Sequence, residues 1–194
     1  MKLFKNSDID VATPGTGESH SPKATASSIA IDNSFATGAS LDLIETTIGQ
    51  LRPGASIFFK TDGAWSNIEL LEYILAQTGP ADVYFTTWSI SAEAITRFTS
   101  WQQRGVINDL VAILDSGIRN RKPEIYQQAT GAFRKLKTAA CHAKVTVIRS
   151  DNHHITLMGS ANYTKNPRIE TGVIILSEDL AEANIYWILE VLNG

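Results

Sequence analysis

The sequence predicts an α/β protein, an α/β/α sandwich in which a mixed, mostly parallel sheet is flanked by helices. Two observations lead to this fold class. From residue 40 onwards, short stretches rich in β-branched and aromatic residues alternate with amphipathic stretches of helical periodicity. The chain has 194 residues, of which 43% are hydrophobic and 19% charged, and this suits one domain with a substantial core.

The first 38 residues differ from the rest of the chain. They are rich in Ser, Thr, Ala, Gly and Pro and contain few large apolar side chains, a composition typical of a flexible arm. We therefore divide the chain into an N-terminal arm, residues 1–38, and a folded domain, residues 39–194. Within the arm, Ile29, Ile31 and Phe35 could add a short edge strand or dock on a partner.

Helix and strand signals alternate through the first part of the folded domain. Ser40, Ser66 and Ser91 each precede an amphipathic stretch, and a serine at this position can cap a helix through its hydroxyl. The predicted helices cover residues 41–51, 67–77, 92–104 and 123–137, the last of them basic. The predicted strands between them cover residues 56–61, 82–90 and 107–114.

The C-terminal part is predicted to form three strands, at residues 142–149, 154–158 and 171–176, and a final helix capped by Ser177. His142 and Lys144 lie two apart in the first of these strands, so their side chains would share one face. A loop of small and polar residues ends the second strand, where open sheets usually carry their sites, and an acid opens the third. These residues are Gly159, Ser160, Asn162 and Glu170.

Together these side chains are suited to chemistry at phosphate. A histidine can act as a nucleophile or proton carrier near neutral pH, and a lysine offers a positive charge to phosphoryl oxygens. Amide and hydroxyl donors can bind the same oxygens, and a carboxylate can hold an imidazole in one tautomer.

The pattern resembles the phospholipase D superfamily, whose mark is His-x-Lys, a linker usually carrying Asp, and then Gly-Ser-x-Asn. This chain has His-Ala-Lys at residues 142–144 and Gly-Ser-Ala-Asn at residues 159–162. Glu170 stands where single-motif bacterial nucleases of the superfamily carry an acid that orients the histidine. The resemblance implies a phospholipase D-like fold and makes residues 39–194 a catalytic domain.

The resemblance also implies a metal-independent phosphodiesterase, most readily a nuclease that cleaves DNA or RNA through a phosphohistidine intermediate. His142 would attack phosphorus, while Lys144 and Asn162 would bind its non-bridging oxygens. No metal and no other cofactor is expected. The predicted catalytic residues are His142, Lys144, Asn162, Ser160 and Glu170, and the predicted substrate-binding residues are Gly159, Arg149 and Lys165.

One position departs from the family pattern. The motif Asp normally falls five residues after the Lys, and this chain has Arg149 there. Asp151, two residues later, could take the same role if the turn is shifted. Alternatively, the site could be impaired.

The chain contains one copy of the motif, whereas two-motif members of the superfamily face two halves across a pseudo-twofold axis. A single-motif chain can build such a site by pairing with a copy of itself, and a twofold dimer is the simplest closed arrangement. The resemblance therefore implies a homodimer with the site at its interface. The alternative is a monomer with a half-site, which would bind phosphate but turn over poorly.

Charge is distributed unevenly along the chain. The net charge of −3 argues against a protein that coats nucleic acid with a uniformly basic surface. Residues 119–168, however, contain ten basic residues and two acids. A basic face around the motif is what a phosphate-backbone binder needs. Trp65 and Trp88 could line a substrate groove and stack on bases, with core packing as the alternative for Trp88.

Two other functions are open at this point. A nucleic-acid-binding module of the same fold, inactive or weakly active, would agree with Arg149 at the Asp position and with the net negative charge. A lipid phosphodiesterase would need an amphipathic, membrane-facing helix, and the sequence shows none, so no membrane partner is expected. Zinc is disfavoured because Cys141, His142, His153 and His154 lack a paired-ligand spacing.

The sequence also bears on location. A single cysteine, Cys141, excludes an intrachain disulfide and suits a reducing compartment. The first residues lack the apolar region of a signal peptide. We therefore expect a cytoplasmic protein.

Overall fold

The computed structural model describes residues 23–28, 41–165 and 167–194. Its strands are β1 (Lys23–Ser28), β2 (Ser56–Asp62), β3 (Ala81–Thr87), β4 (Ile107–Asp115), β5 (Lys135–Ala139), β6 (Val145–Arg149), β7 (His154–Gly159) and β8 (Ile169–Leu176). Its helices are α1 (Leu41–Ile48), α2 (Asn67–Thr78), α3 (Ala92–Gln103), α4 (Ile118–Arg121), α5 (Pro123–Ala132) and α6 (Glu178–Asn193). None of these helices combines the length and the apolar character needed to cross a bilayer.

The strands form one mixed sheet in the order β1-β2-β8-β7-β6-β3-β4-β5. This confirms the predicted α/β class and the mixed sheet, but the expectation of mostly parallel strands is wrong. Only β3–β4 and β4–β5 pair in parallel, while the other five pairings are antiparallel. Two of these five have a simple reason: β6, β7 and β8 follow one another through loops, without the crossover helix that parallel neighbours require.

Helices cover both faces of the sheet, as predicted. Side chains of β3 and β4 alternate between two cores, in keeping with the two-residue period of a strand. Val83 and Phe85 pack into the larger core with α1, α2, α3 and α5, while Tyr84 and Val111 pack into the smaller core under α6. Two of the predicted N-caps form through their hydroxyls: Ser91 accepts a hydrogen bond from Ala94 N and Ser177 accepts one from Leu180 N. Ser66 also precedes its helix, where its N–H and its hydroxyl both donate to Glu69 Oε2.

Besides shifts of up to three residues at one end of α1, β3 and β8, three features differ from the sequence analysis. The basic helix predicted to reach residue 137 ends at Ala132, and residues 135–139 form the edge strand β5. The chain leaves the helix at Phe133, because the backbone of this residue is extended (φ −104°, ψ 118°) and its ring is buried in the larger core. The strand predicted from His142 starts only at Val145.

The third difference lies in the N-terminal arm, where residues 23–28 form β1 and pair with β2. The predicted edge-strand residues Ile29, Ile31 and Phe35, and the predicted cap Ser40, lie outside the described residues. The boundary between arm and domain at residues 38 and 39 stays a prediction.

The sheet topology brings the motif to one edge. We call this the motif edge and define it by the end of β3 at Thr87 and the start of β6 at Val145. The ends of β4, β5 and β7 and the start of β8 lie at the same edge. The opposite edge carries Asp82 at the start of β3 and Arg149 at the end of β6.

Candidate active site

The segment that carries His142 and Lys144 precedes β6 and is held between two neighbouring strands. The Thr86 hydroxyl on β3 donates a hydrogen bond to Ala143 O at 3.0 Å. The same hydroxyl accepts a hydrogen bond from Val145 N at 3.2 Å. On the other side, Gly159 N donates to Lys144 O at 3.2 Å. These bonds hold the segment at the motif edge, although it lies outside the strand in which the sequence placed it.

His142 and Lys144 contact each other directly. Lys144 Nζ donates to His142 O at 2.9 Å and lies 3.4 Å from Nδ1 of the same histidine. His142 is exposed, whereas Lys144 is half-buried. Burial lowers the pKa of Lys144, and the nearby carboxylate of Glu170 opposes this shift. The pair therefore presents an accessible imidazole beside a partly desolvated ammonium group.

Ser160 and Glu170 form a second contact at the motif edge. The Ser160 hydroxyl donates to Glu170 Oε2 and accepts a hydrogen bond from Thr171 N at 3.0 Å. Ser160 N donates to Thr171 O at 2.9 Å. The serine thus joins the end of β7 to the start of β8 and places Glu170 where its charge acts on Lys144.

Gly159 has a packing role that follows from its position. It lies opposite Gly172 in the β7–β8 pairing. A Cβ atom on Gly159 would stand 2.6 Å from Thr171 O and 3.1 Å from Gly172 Cα. Because real Cβ atoms do not approach backbone that closely, the two strands need a glycine here.

Asn162 is oriented by two hydrogen bonds. Its Oδ1 accepts from Trp88 N and from the Thr87 hydroxyl, both at 3.2 Å. Since a backbone N–H can only donate, this end of the side chain is the oxygen and the amide NH2 is left to donate elsewhere. The following residue, Tyr163, is buried and shares a 2.7 Å hydrogen bond with Thr146, which anchors the loop.

Asn162 and Lys165 line an open pocket of about 390 Å³ at the motif edge, together with Trp88, Arg121 and Arg168 among others. The Trp88 ring lies 6.0 Å from the His142 ring, centroid to centroid. The Arg121 guanidinium carbon lies 4.0 Å from the centroid of the Trp88 ring. Arg121 also donates to Trp88 O at 3.0 Å and forms an ion pair with Asp115 at 2.8 Å.

The sequence did not single out Arg121 and its neighbour Lys122 as site residues. It left two interpretations of Trp88 open, a residue that lines the substrate groove and a residue of the core. Trp88 follows the end of β3, and Arg121 and Lys122 belong to α4 and the residue after it, beyond the end of β4. The signal that could have found them is position, because the ends of parallel strands share one sheet edge.

Three residues singled out from the sequence lie elsewhere. Arg149 is at the opposite edge, roughly 13 Å along β6 from its start at about 3.3 Å per residue. There it donates to Asp82 Oδ2 at 3.1 Å and to the Tyr84 hydroxyl at 2.9 Å, so the structure does not bring it to the predicted site. Asp151 is exposed in the turn beyond it. Trp65 is buried in the larger core and offers no face for stacking.

No cluster of three or more His, Cys, Asp or Glu side chains in the described ranges is placed to hold a metal ion. His153 and His154 lie in the turn before β7 and at its start, at the opposite edge from His142. The structure therefore does not gather the four Cys and His residues that the zinc alternative would require.

Comparison with known proteins bears on the fold. No protein-family model matches the sequence, and no curated protein matches it. Among solved structures, the chain is similar to Nuc from Salmonella typhimurium, a phospholipase D family member, with a TM-score of 0.52 and 16% identity over 89% of this chain and 95% of that one. It also matches NucT from Helicobacter pylori, with a TM-score of 0.49 and 17% identity over 63% of this chain and 86% of that one. The chain therefore has a phospholipase D-like fold.

Proposed function

We propose that this protein is a metal-independent phosphodiesterase that cleaves nucleic acid, with His142 as the nucleophile. The observation that carries the proposal is the grouping of His142, Lys144 and Asn162 at the motif edge, beside a pocket lined by cationic side chains. The likeness of the fold to a phospholipase D family member supports it.

In the proposed reaction, an imidazole nitrogen of His142 attacks phosphorus and forms a P–N bond as the bond to the leaving oxygen breaks. The Lys144 ammonium and the Asn162 amide NH2 stabilise the charge on the non-bridging oxygens. A second histidine gives its proton to the leaving oxygen and then takes one from water. That water attacks phosphorus, breaks the P–N bond and releases the phosphate product.

We assign the second histidine to His142 of another copy of the chain. The support is that the sequence holds a single motif, and that His142 is exposed and thus accessible to a second subunit. A twofold dimer would place each His142 beside the other subunit's site, so that one attacks while the other transfers protons. The homodimer belongs to the proposal.

Glu170 contributes in this scheme through its neighbours. It accepts a hydrogen bond from Ser160 and its charge acts on Lys144, which favours the protonated lysine. We propose that Ser160 and Glu170 position the lysine and its loop, and that Glu170 also orients His142 as the family resemblance implies.

The test is cleavage of plasmid and single-stranded DNA and of RNA in excess EDTA. Wild type should cleave at least one of them, and His142→Ala should lose cleavage while keeping nucleic-acid binding. His154→Ala is the matched control, because it removes a histidine at the opposite edge of the same sheet. Its cleavage should equal that of wild type.

Other outcomes would overturn the proposal in recognisable ways. Cleavage that EDTA abolishes would contradict the metal-independent mechanism. A folded wild type that retards nucleic acid but cleaves none of it would be a binding module of the same fold. Hydrolysis of phosphatidylcholine without nucleic-acid cleavage would identify a lipid phosphodiesterase.

A further inference from the structure

The pocket beside His142 is strongly cationic. Four of its lining side chains are basic: Arg121 and Lys122 come from the segment after β4, and Lys165 and Arg168 from the loop between β7 and β8. The other described lining residues are aromatic, hydroxyl or amide side chains, and none of them is a carboxylate. Two separate parts of the chain therefore contribute positive charge to one concave surface.

Among the described residues, most of this charge has no carboxylate partner. Arg121 pairs with Asp115, which lies outside the pocket lining. Lys122 Nζ donates to the neutral Ser89 hydroxyl at 3.1 Å. In the described part of the chain, Lys122, Lys165 and Arg168 form no ion pair with a carboxylate. Three cations that face one pocket without an acid are suited to a ligand of negative charge.

The pocket adjoins the candidate nucleophile. Asn162 and Trp88 line it, and the Trp88 ring lies near both Arg121 and His142. We propose that this pocket binds the phosphate of the nucleotide next to the scissile one, so that the enzyme acts on polynucleotides in preference to isolated phosphodiesters. This inference rests on the proposed function and deepens it.

The same geometry argues for contact with the backbone and not with bases. The Arg121 guanidinium carbon lies over the Trp88 ring, 4.0 Å from its centroid, and the His142 ring is 6.0 Å from it at a tilt of 58°. One face of Trp88 is thus occupied by the protein and is closed to a stacked base. Because phosphate contacts carry no sequence information, the pocket would favour nucleic acid without regard to its sequence.

The test compares two substrates, an oligonucleotide with many phosphates and bis(4-nitrophenyl) phosphate with one. Lys165→Gln and Arg168→Gln change exposed residues of the loop between β7 and β8, so folding should survive; melting curves check this. Each variant should lower the ratio of kcat/KM for the oligonucleotide to kcat/KM for the single diester about tenfold, since a charged phosphate contact is lost. Arg104→Gln, an exposed arginine after α3, is the matched control and should leave the ratio unchanged.

A binding measurement gives a second readout. In the His142→Ala background, log Kd for the oligonucleotide should rise linearly with log salt concentration, and each of the two substitutions should reduce this slope by about 0.7, the value for one phosphate contact on a single strand. An unchanged ratio together with an unchanged slope would overturn the second-phosphate site. Equal losses on both substrates would place these cations at the scissile phosphate instead.

The two proposals fail separately. If wild type hydrolyses neither substrate, the proposed phosphodiesterase function is wrong, while the salt slopes of the His142→Ala background still decide whether the pocket binds phosphate. Wild type could instead cleave both substrates while the two substitutions change neither the ratio of kcat/KM values nor the salt slope of log Kd. That result would support the phosphodiesterase function and contradict the second-phosphate pocket.

Discussion

Asn162 shows how a single side chain is aimed at the proposed substrate. Trp88 N and the Thr87 hydroxyl hold its oxygen, and the amide NH2 is thereby available to a phosphoryl oxygen. An aspartate would keep both accepted hydrogen bonds but would replace the donor by a negative charge. The two functions of the residue, loop anchoring and ligand binding, can therefore be separated.

We predict that Asn162→Asp, in the His142→Ala background, keeps its thermal stability and weakens oligonucleotide binding at least about tenfold, or about 1.4 kcal/mol. Fluorescence anisotropy and a melting curve measure the two effects. Asn152→Asp adds the same charge in an exposed turn at the opposite edge and should leave affinity unchanged. Equal affinity of the two variants would remove Asn162 from the binding site.

Lys144 gives the site a dependence on pH. Partial burial disfavours its charged form and lowers its pKa below the ordinary lysine value of 10.5. As the pH rises through this lowered pKa, Lys144 loses its positive charge before exposed lysines do. Its proposed contribution to phosphate binding should therefore be complete at neutral pH and decline on the alkaline side.

We predict that the affinity of the His142→Ala variant for oligo(dA) falls as the pH rises towards 10.5, with a midpoint below that value. Adenine is chosen because its base carries no proton that ionises in this range. The double variant His142→Ala, Lys144→Arg keeps its charge and should show a weaker fall. If the affinity of the two proteins fell in the same way with pH, a group other than Lys144 would be responsible for the fall.

At the level of elements, the junction of β7 and β8 depends on two facing glycines, Gly159 and Gly172. The close approach at Gly159 sets the distance between β7, which ends just before Ser160, and β8, which carries Glu170. A side chain at this point would push the two strands apart. The sheet and the site are thus coupled at one position.

We predict that Gly159→Ala destabilises the protein by about 1–3 kcal/mol, the usual cost of forcing an extra carbon into packed structure. It should also reduce cleavage by displacing Ser160. Gly131→Ala is the control, because its Cβ would meet nothing within 4 Å and alanine favours the helix α5, with a gain of up to about 1 kcal/mol. Chemical denaturation measures both, and equal stability of the variants would contradict the packing argument.

Local pattern predicted most elements, and its failures have physical causes. Helices α2, α3 and α6 begin where serine caps indicated, because capping depends on neighbours in sequence. Strand β5 was missed because its five residues gain strand geometry only by pairing with β4. Arg149 belongs to the basic stretch around the motif and is predicted to bind substrate, yet a strand of five residues carries it to the far edge of the sheet.

The site was predictable only in part for the same reason. The motif supplied His142, Lys144 and Asn162, which the fold does bring to one edge. The Arg121–Trp88 pair comes from two other strand ends, and no short pattern joins residues that are 33 positions apart in sequence. Such contacts are set by the order of strands, which the sequence alone left undetermined.

At the scale of the whole molecule, the proposal requires two chains for one complete site. We predict that light scattering at micromolar concentration detects a dimer, whose mass is twice the 21.2 kDa of one chain. After subunit exchange between wild type and His142→Ala, activity should follow the square of the wild-type fraction, because a mixed pair has only one His142. A linear dependence, or a fully active monomer, would show that each chain carries a complete site.

The attachment of the segment before β6 has a consequence for motion. Ala143 O and Val145 N are tied to β3 through one hydroxyl, that of Thr86, and Lys144 O accepts a hydrogen bond from Gly159 N, whereas Val147 further along β6 lies inside the ladders of both neighbouring strands. Local opening of the His142 segment would therefore break few bonds and need no unfolding of the sheet. We expect the amide hydrogens of this segment to exchange with solvent faster than those of Val147 and its neighbours in the ladder.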